Sequence, residues 1–390
     1  MKKKTFHHKP ARRSDTNQKS LALHKKLGGK IRVIPAATVR NYKDLSLIYT
    51  PGVAAVSSYV AKHTNEARSY TVKGRLIAVI SDGSAVLGLG NIGPLGALPV
   101  MEGKAALFKV FADVDAVPIV LETQNQEEII ETVLRIAPTF GGINLEDISA
   151  PRCFEIERRL IEQLDIPVMH DDQHGTAVVV LAGLLNALAV VGKKLDSSRI
   201  VISGAGAAGA AIAKLLDKAG AKHIVMLDSK GIIAAPRHDL NASKRELAQF
   251  TNPDSIEGGL REALKGADVL IGVSGPGLAT ANDIRLMNAK AIVFALANPT
   301  PEIMPDEAKQ GGAFVVATGR SDFPNQINNS LAFPGIFRGA LDNNVQKISD
   351  QMKLKAAHAI AGLVKKPTAE HIVPDMFDRR VVKAVAKVIR

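Results

Sequence analysis

The chain has no tryptophan and a single cysteine, Cys153, in 390 residues. One thiol excludes an intramolecular disulfide and any cysteine-cluster metal site. It fits a reducing compartment, so a cytoplasmic location is expected. Aromatics are scarce, at 4%. Ala, Val, Ile, Leu and Gly carry the apolar content instead, as expected where helices pack closely on parallel strands. The longest apolar stretch, at 176–192, contains Asn186 and falls short of the ~20 residues that a membrane span needs, so it reads as a buried helix. The N-terminus lacks the apolar run and small-residue cleavage site of a secretory signal. No membrane partner is expected.

The formal charge of +12 is unevenly placed, since residues 1–40 hold twelve Lys and Arg against one acid, Asp15. Clustered cations can bind polyanions by counterion release. The composition nevertheless reads as a solvated, disordered tail over 1–18, and nucleic acid is not an expected partner. The rest of the chain is close to neutral. Its length and 46% hydrophobic content suffice for two domains with separate cores.

Both halves alternate strand and helix. LIAVI at 76–80 and PIVL at 118–121 read as buried strands, with helical composition between them at 102–111, which implies a first α/β domain over 19–165. The second alternation is clearer, with strands at 199–203 and 223–228 around a helix at 210–218, then strands at 267–274, 291–296 and 313–317. That is the pattern of a doubly wound, Rossmann-type sheet, here over 166–350. From 348 onward two amphipathic helices broken near Pro367 and Pro374 are expected to pack back on the first domain, with 351–390 as a C-terminal unit.

GAGAAG, with Gly204, Gly206 and Gly209, follows a strand and opens a helix, and Asp228 ends the next strand. The first glycine makes the turn, the second lets the backbone approach a pyrophosphate, and the third lets helix and strand pack closely. The helix N-terminus attracts the anion, and Asp228 would accept from ribose hydroxyls. NAD is therefore favoured, with NADP left open because Lys230 lies two residues on. GLGNIG, with Gly88, Gly90 and Gly93, has the same spacing, but Pro94 and Pro99 make the next segment a poor first helix.

Two acidic pairs, Glu146 with Asp147 and Asp171 with Asp172, stand near expected strand ends. Several carboxylate oxygens suit a hard cation, Mg²⁺ or Mn²⁺. His170 and His174 are four apart, as in a helical zinc motif. No Glu follows the first, however, and the segment reads as a strand leaving for a loop.

Together the segments YTPGVA, SDGSAVLGLGNIGPLGALPVMEGKAALFK, INLEDISAPRCFEIE, HDDQHGTA, LANPTPEI and NNSLAFPG resemble the short bacterial malic enzymes, in one order from about Leu21 to the C-terminus. The resemblance implies oxidative decarboxylation of malate to pyruvate by a homodimer. By similarity Glu146, Asp147 and Asp172 would bind the metal, Lys104 would be the general base and Tyr49 the general acid. Asp171 would position Lys104. Ala207 joins the glycines in the cofactor turn, and Asn298, Asn328 and Asn329 would meet the substrate or the nicotinamide end of the cofactor. One departure stands out, because Ala85 occupies the place of an Arg that grips a malate carboxylate in larger relatives.

These residue types suit that chemistry. Hydride loss from C2 of malate needs its hydroxyl deprotonated, which a lysine achieves if burial and a nearby dication depress its pKa. A metal would act as Lewis acid for decarboxylation. The rival readings are a relative that decarboxylates oxaloacetate or makes lactate without net cofactor reduction, and a nucleotide-sensing binding protein.

Overall fold

The computed structural model describes residues 13–390. The first described element is helix α1 (Arg13–Leu27), so residues 13–18 of the expected tail are helical, and 1–12 lie outside the described residues. Three short helices follow, α2 (Tyr42–Ile48), α3 (Val53–Lys62) and α4 (Ala67–Tyr70), and none of them holds a buried residue.

The first sheet comprises β1 (Leu76–Ser81), β2 (Asp115–Val120), β3 (Gly142–Leu145) and β4 (Val168–His170), in the order β2-β1-β3-β4 and parallel throughout. Helices α5 (Gly93–Ala112), α6 (Gln126–Ile136) and α7 (Arg152–Gln163) link the strands. Ile129, Ile130, Ile156 and Leu160 from α6 and α7 cover one sheet face, while Met101 and Phe108 from α5 join the core on the other. Strands covered on both faces are apolar nearly throughout, which is why they read as short continuous runs.

Two helices depart from expectation. Helix α5 starts at Gly93 and runs through Pro94 and Pro99, although helical composition begins only at Glu102. Pro94 sits in the first turn, where its missing N–H costs nothing. Pro99 forgoes one bond in a long helix whose Ala97, Met101, Ala105, Phe108 and Ala112 are buried, and that packing outweighs propensity. Helix α8 (Asp171–Val191) follows β4 directly, where a loop was expected. Asp171 and Asp172 in its first turn favour the positive helix end. The apolar stretch behind them continues the helix to Gly192, whose φ of 74° closes it. This helix is long and apolar enough to cross a membrane, yet 72% of its apolar window is buried in the core shared by the two sheets.

The second sheet holds β5 (Arg199–Ser203), β6 (His223–Asp228), β7 (Gly231–Ile232), β8 (Val269–Gly272), β9 (Ala291–Ala295) and β10 (Ala313–Thr318). Its order is β10-β9-β8-β5-β6-β7, parallel except for β7. This is the Rossmann order with the third strand reduced to two antiparallel residues, and its switch point lies between β5 and β8. Helices α9 (Ala207–Lys218), α10 (Ala242–Leu247), α11 (Leu260–Leu264), α12 (Ala281–Ile284) and α13 (Pro305–Gln310) serve this sheet.

The chain ends with α14 (Phe333–Asp342), α15 (Asp350–Ala361) and α16 (Arg380–Val388). Helix α15 packs on α8, and α16 on α14. Ahead of the expected C-terminal unit, α14 packs on α5; the unit itself packs mainly on α8 and α14, and Phe377 reaches α5, its ring edge-on to Phe111 at 5.8 Å.

Candidate active site

Parallel sheets bind ligands beyond the carboxyl ends of their strands, and both sheets here point those ends into one cleft of about 960 Å³. Register brings the acids together. Leu145 of β3 pairs with both Ile80 of β1 and His170 of β4, so Glu146 and Asp171 emerge at the same level.

One oxygen each from Glu146, Asp147 and Asp172 lies within 4.8 Å of the others. The backbone assists, since Asp147 adopts φ 53° and its N–H donates to Asp172 Oδ2 at 2.8 Å. Asn144 Nδ2 donates to Glu146 Oε2 at 2.8 Å. Three hard oxygen donors converging on one point fit Mg²⁺ or Mn²⁺. Burial pushes the pKa values of Glu146, Asp171 and Asp172 upward, and their mutual repulsion raises Glu146 and Asp171 further.

Lys104 leaves the buried face of α5 and reaches this cluster. Its Nζ lies 2.6 Å from Asp171 Oδ2, 2.8 Å from Glu146 Oε1 and 4.2 Å from the centroid of the Phe333 ring. Burial lowers its pKa, but the charges of Asp171 and Glu146 outweigh burial and hold it above the ordinary lysine value. The expected depression is therefore absent while those two carboxylates are its neighbours. Gly175, one helical turn after Asp171, is what makes room for that carboxylate, because an ideal Cβ there would stand 1.8 Å from Asp171 Oδ1.

Glu157 received no role from the sequence, yet it secures the start of α8. It lies on the buried stripe of α7, accepts the His170 N–H at 2.7 Å and the Gln173 amide at 3.1 Å, and lies 2.9 Å from His174 Nε2. His174 is thereby committed to a carboxylate. Among the described residues, the cluster of Glu146, Asp147 and Asp172 is the one group with metal-binding geometry, which disfavours the zinc alternative. A charged residue on an otherwise apolar helical stripe was the available signal.

On the other wall, the three turn glycines differ in surroundings. Gly204 has φ 120°, and a Cβ there would meet the Val273 carbonyl at 2.6 Å. At Gly209 it would meet the Gly204 carbonyl at 1.8 Å, whereas Gly206 faces open space. Turn, close packing and open approach to a ligand are thus divided among them as the dinucleotide fingerprint requires. Ala207 begins α9 and lines the main cleft with Gly206, Asn298, Asn328, Asn329 and Lys104. The rival Gly88 has a packing reason, since a Cβ there would meet the Asn298 carbonyl oxygen at 1.9 Å.

Two of the sequence candidates, Asp228 and Tyr49, do not line this main cleft. Asp228 lines a neighbouring cavity of about 760 Å³, but both its oxygens are engaged, by Arg237 at 2.9 and 3.1 Å and by Lys244 at 2.6 Å. Burial raises its pKa, and those hydrogen bonds more than reverse the effect, to about 2. Lys230 instead pairs with Asp239 at 3.0 Å. Tyr49 caps α2, is 66% exposed, and is not among the residues lining the cleft.

A Rossmann sheet whose cofactor turn faces a carboxylate cluster and a buried lysine defines an α/β protein of the dinucleotide-binding class. Residues 28–161 match the family described as malic enzyme, N-terminal domain, and residues 173–389 match malic enzyme, NAD binding domain. The chain belongs to the malic enzyme family. It is 54% identical over 375 residues to the bifunctional malic/malolactic enzyme of Bacillus subtilis, covering 95% of this chain and 92% of that protein. It is 47% identical to the NADP-dependent malic enzyme of Halomonas elongata, covering 95% and 92%. The crystal structure of an NAD-dependent malic enzyme from Thermotoga maritima superposes with a TM-score of 0.92 at 50% identity, covering 95% of this chain and 98% of that one.

Proposed function

We propose that the protein oxidises and decarboxylates malate to pyruvate and CO₂ with reduction of NAD⁺, NADP⁺ being a secondary cofactor. The observation that carries this reading is Lys104, bonded to Asp171 and Glu146 in a cleft whose opposite wall is the Gly206 turn. Glu146, Asp147 and Asp172 would hold a divalent cation. That cation would supply Lewis-acid polarisation of the C1 carboxylate and C2 oxygen and offset the charge that keeps Lys104 protonated. Lys104, once neutral, takes the C2 hydroxyl proton as hydride leaves for the nicotinamide. Asp171 holds the amine in place, and Asn298, Asn328 and Asn329 offer amides to the substrate and the nicotinamide end. Tyr49 returns a proton to C3 after CO₂ has left.

Tyr49 stands outside its own cleft, so this role requires a second copy. Tyr42, Leu47, Ile48 and Tyr49 form an uncovered apolar stretch on α2 and its cap, and helices without any buried residue imply a covering partner. We read that partner as the second subunit of a homodimer.

Cofactor choice rests on Asp228, which disfavours a 2′-phosphate, although Arg237 and Lys244 compensate part of its charge. Initial rates of cofactor reduction with malate, Mg²⁺ or Mn²⁺ and each cofactor, repeated after chelation, test the reading. Lactate as main product without net cofactor reduction would favour the malolactic alternative.

A further inference from the structure

Of the three clustered acids, Asp147 sits on unusual backbone. Its φ of 53° lies in the left-handed region, which a residue other than glycine keeps only where its surroundings hold it. Two backbone hydrogen bonds do so here. The Asp147 N–H donates to Asp172 Oδ2 at 2.8 Å, and the Ala85 N–H donates to the Asp147 carbonyl at 3.0 Å. The first bond is internal to the carboxylate cluster. The second comes from the loop after β1, so the position of that loop decides whether the Asp147 carboxylate faces Glu146 and Asp172.

One side chain fixes that loop. Arg152, in the first turn of α7, places its Nη2 2.9 Å from Asp82 Oδ2, 3.0 Å from Ser84 Oγ and 3.1 Å from Ser149 Oγ, and its Nη1 donates to the Gln124 carbonyl. It thereby joins the segments that follow β1, β2 and β3. The Asp82 side chain is fully buried, and Arg152 supplies the positive charge it needs. Asp82 Oδ1 in turn accepts from the Ser84 N–H at 2.9 Å and from the Ser84 hydroxyl at 2.6 Å. Ser84 Oγ accepts the Ser149 N–H at 2.9 Å. Ser84 precedes Ala85, and Ser149 lies just beyond Asp147 and Ile148, so the network grips the turn of the acid from both sides. Arg152 does not itself line the cleft, and its effect reaches the cluster through the backbone.

We propose that Arg152 is a positioning residue for the divalent cation: through Asp82, Ser84 and Ala85 it holds Asp147 in the left-handed conformation that a ligand there requires. The assignment rests on the reading of Glu146, Asp147 and Asp172 as metal ligands. The test titrates Mn²⁺ alone into wild type, Arg152→Met, Arg152→Lys and Ser84→Ala, following the free ion by electron paramagnetic resonance. NADH affinity, read by fluorescence, and thermal stability are measured beside it. Loss of a group that orients a metal ligand weakens metal binding about 10- to 100-fold, so the Mn²⁺ Kd should rise by that factor in Arg152→Met. The NADH Kd should stay within about twofold, since the cofactor turn belongs to the other sheet and distant sites act independently. Arg152→Lys offers three donors from one nitrogen to the three acceptors now around Nη2 and should recover most of the affinity. Ser84→Ala leaves the pair of Arg152 and Asp82 in place but removes their link to Ser149, which should raise the Mn²⁺ Kd about fivefold. It carries the test if Arg152→Met does not fold. An unchanged Mn²⁺ Kd in folded Arg152→Met or in Ser84→Ala, with or without a loss of thermal stability, would overturn the assignment, as would a parallel rise in the NADH Kd. Wild-type protein that binds no Mn²⁺ would overturn the metal reading itself, whereas a wild type that binds it beside an indifferent Arg152→Met sinks Arg152 alone.

Discussion

Replacing Gly175 by Ala sets helix propensity against packing. In a helix interior the exchange ordinarily gains ~1 kcal/mol, because Gly loses more backbone entropy on folding. At this position the added Cβ would lie 1.8 Å from Asp171 Oδ1, 2.8 Å from its Cγ and 3.2 Å from the Asn329 Cβ. The carboxylate would have to retreat by about 1 Å to restore even the tightest carbon–oxygen contact. It has nowhere to go, since Asp171 is fully buried and its other oxygen is held at 2.6 Å by Lys104.

Either Asp171 moves and weakens its pair with Lys104, or α8 shifts as a body and carries Asp172 with it. Overpacking of this kind costs about 1–3 kcal/mol, and fully breaking a buried ion pair about 3–5 kcal/mol. Both exceed the propensity gain. A displaced base or metal ligand should lower kcat by about 10²-fold, the usual effect of a 1 Å misplacement. The assay is kcat for malate with saturating Mg²⁺ and cofactor, alongside cofactor affinity and urea unfolding. On an Asp171→Ala background the clash partner is gone, so Gly175→Ala should there be neutral or stabilising. Wild-type kcat in Gly175→Ala, or equal destabilisation on both backgrounds, would refute the reasoning.

Other perturbations reach the remaining parts of the site. Asp172→Ala should weaken apparent Mg²⁺ affinity and turnover together, while NAD⁺ binding, measured by titration, survives. Tyr49→Phe and Lys104→Ala should each lower kcat by about 10²- to 10⁴-fold. Mixing the two under subunit exchange should restore up to about a quarter of wild-type activity if Tyr49 acts across a symmetric dimer, and no recovery would place it elsewhere. Burial raises the pKa of Glu157, but His174, His170 and Lys353 outweigh burial and bring it from the ordinary 4.5 to about 2. The stability this contributes is complete above the ordinary carboxylate range and is lost as pH falls toward 2. Glu157→Gln should therefore be less stable at neutral pH and show a shallower loss on acidification, measured by urea midpoints between pH 6 and pH 3.

Much of this was legible because a parallel sheet writes itself locally. The strands β5 and β6 were readable to their end residues, since runs covered on both faces are apolar throughout and stop at turn residues. The glycines of the cofactor turn were equally plain, since the fingerprint asks of them a turn, an open approach and close packing, and Gly204 and Gly209 leave no room for a Cβ. What escaped depends on partners distant in sequence. Pro99 forecasts a break in α5, and only the burial of its neighbours shows why the helix continues. Asp228 looks like a free ribose acceptor until Arg237, nine residues on, and Lys244, sixteen on, fold back onto it. Tyr49 matches a family motif, but no motif records that it stands exposed and away from the cleft of its own chain.

Glu157 marks the boundary between these cases. Its place beside Cys153, Ile156 and Leu160 on the buried stripe of α7 follows from helical period alone, so its burial could be inferred. A buried carboxylate must find donors, and the HDDQHG segment, which opens at the end of the next strand, carries several. Its partners there are the His170 N–H, the Gln173 amide and the His174 ring, on the residues that flank Asp171 and Asp172. The demand for satisfaction thus links α7 to the start of α8, and the identity of the donors sets the orientation of the two aspartates. A polar residue at a core position is therefore a usable long-range constraint. It identifies a residue that holds the site in shape without touching what the site binds.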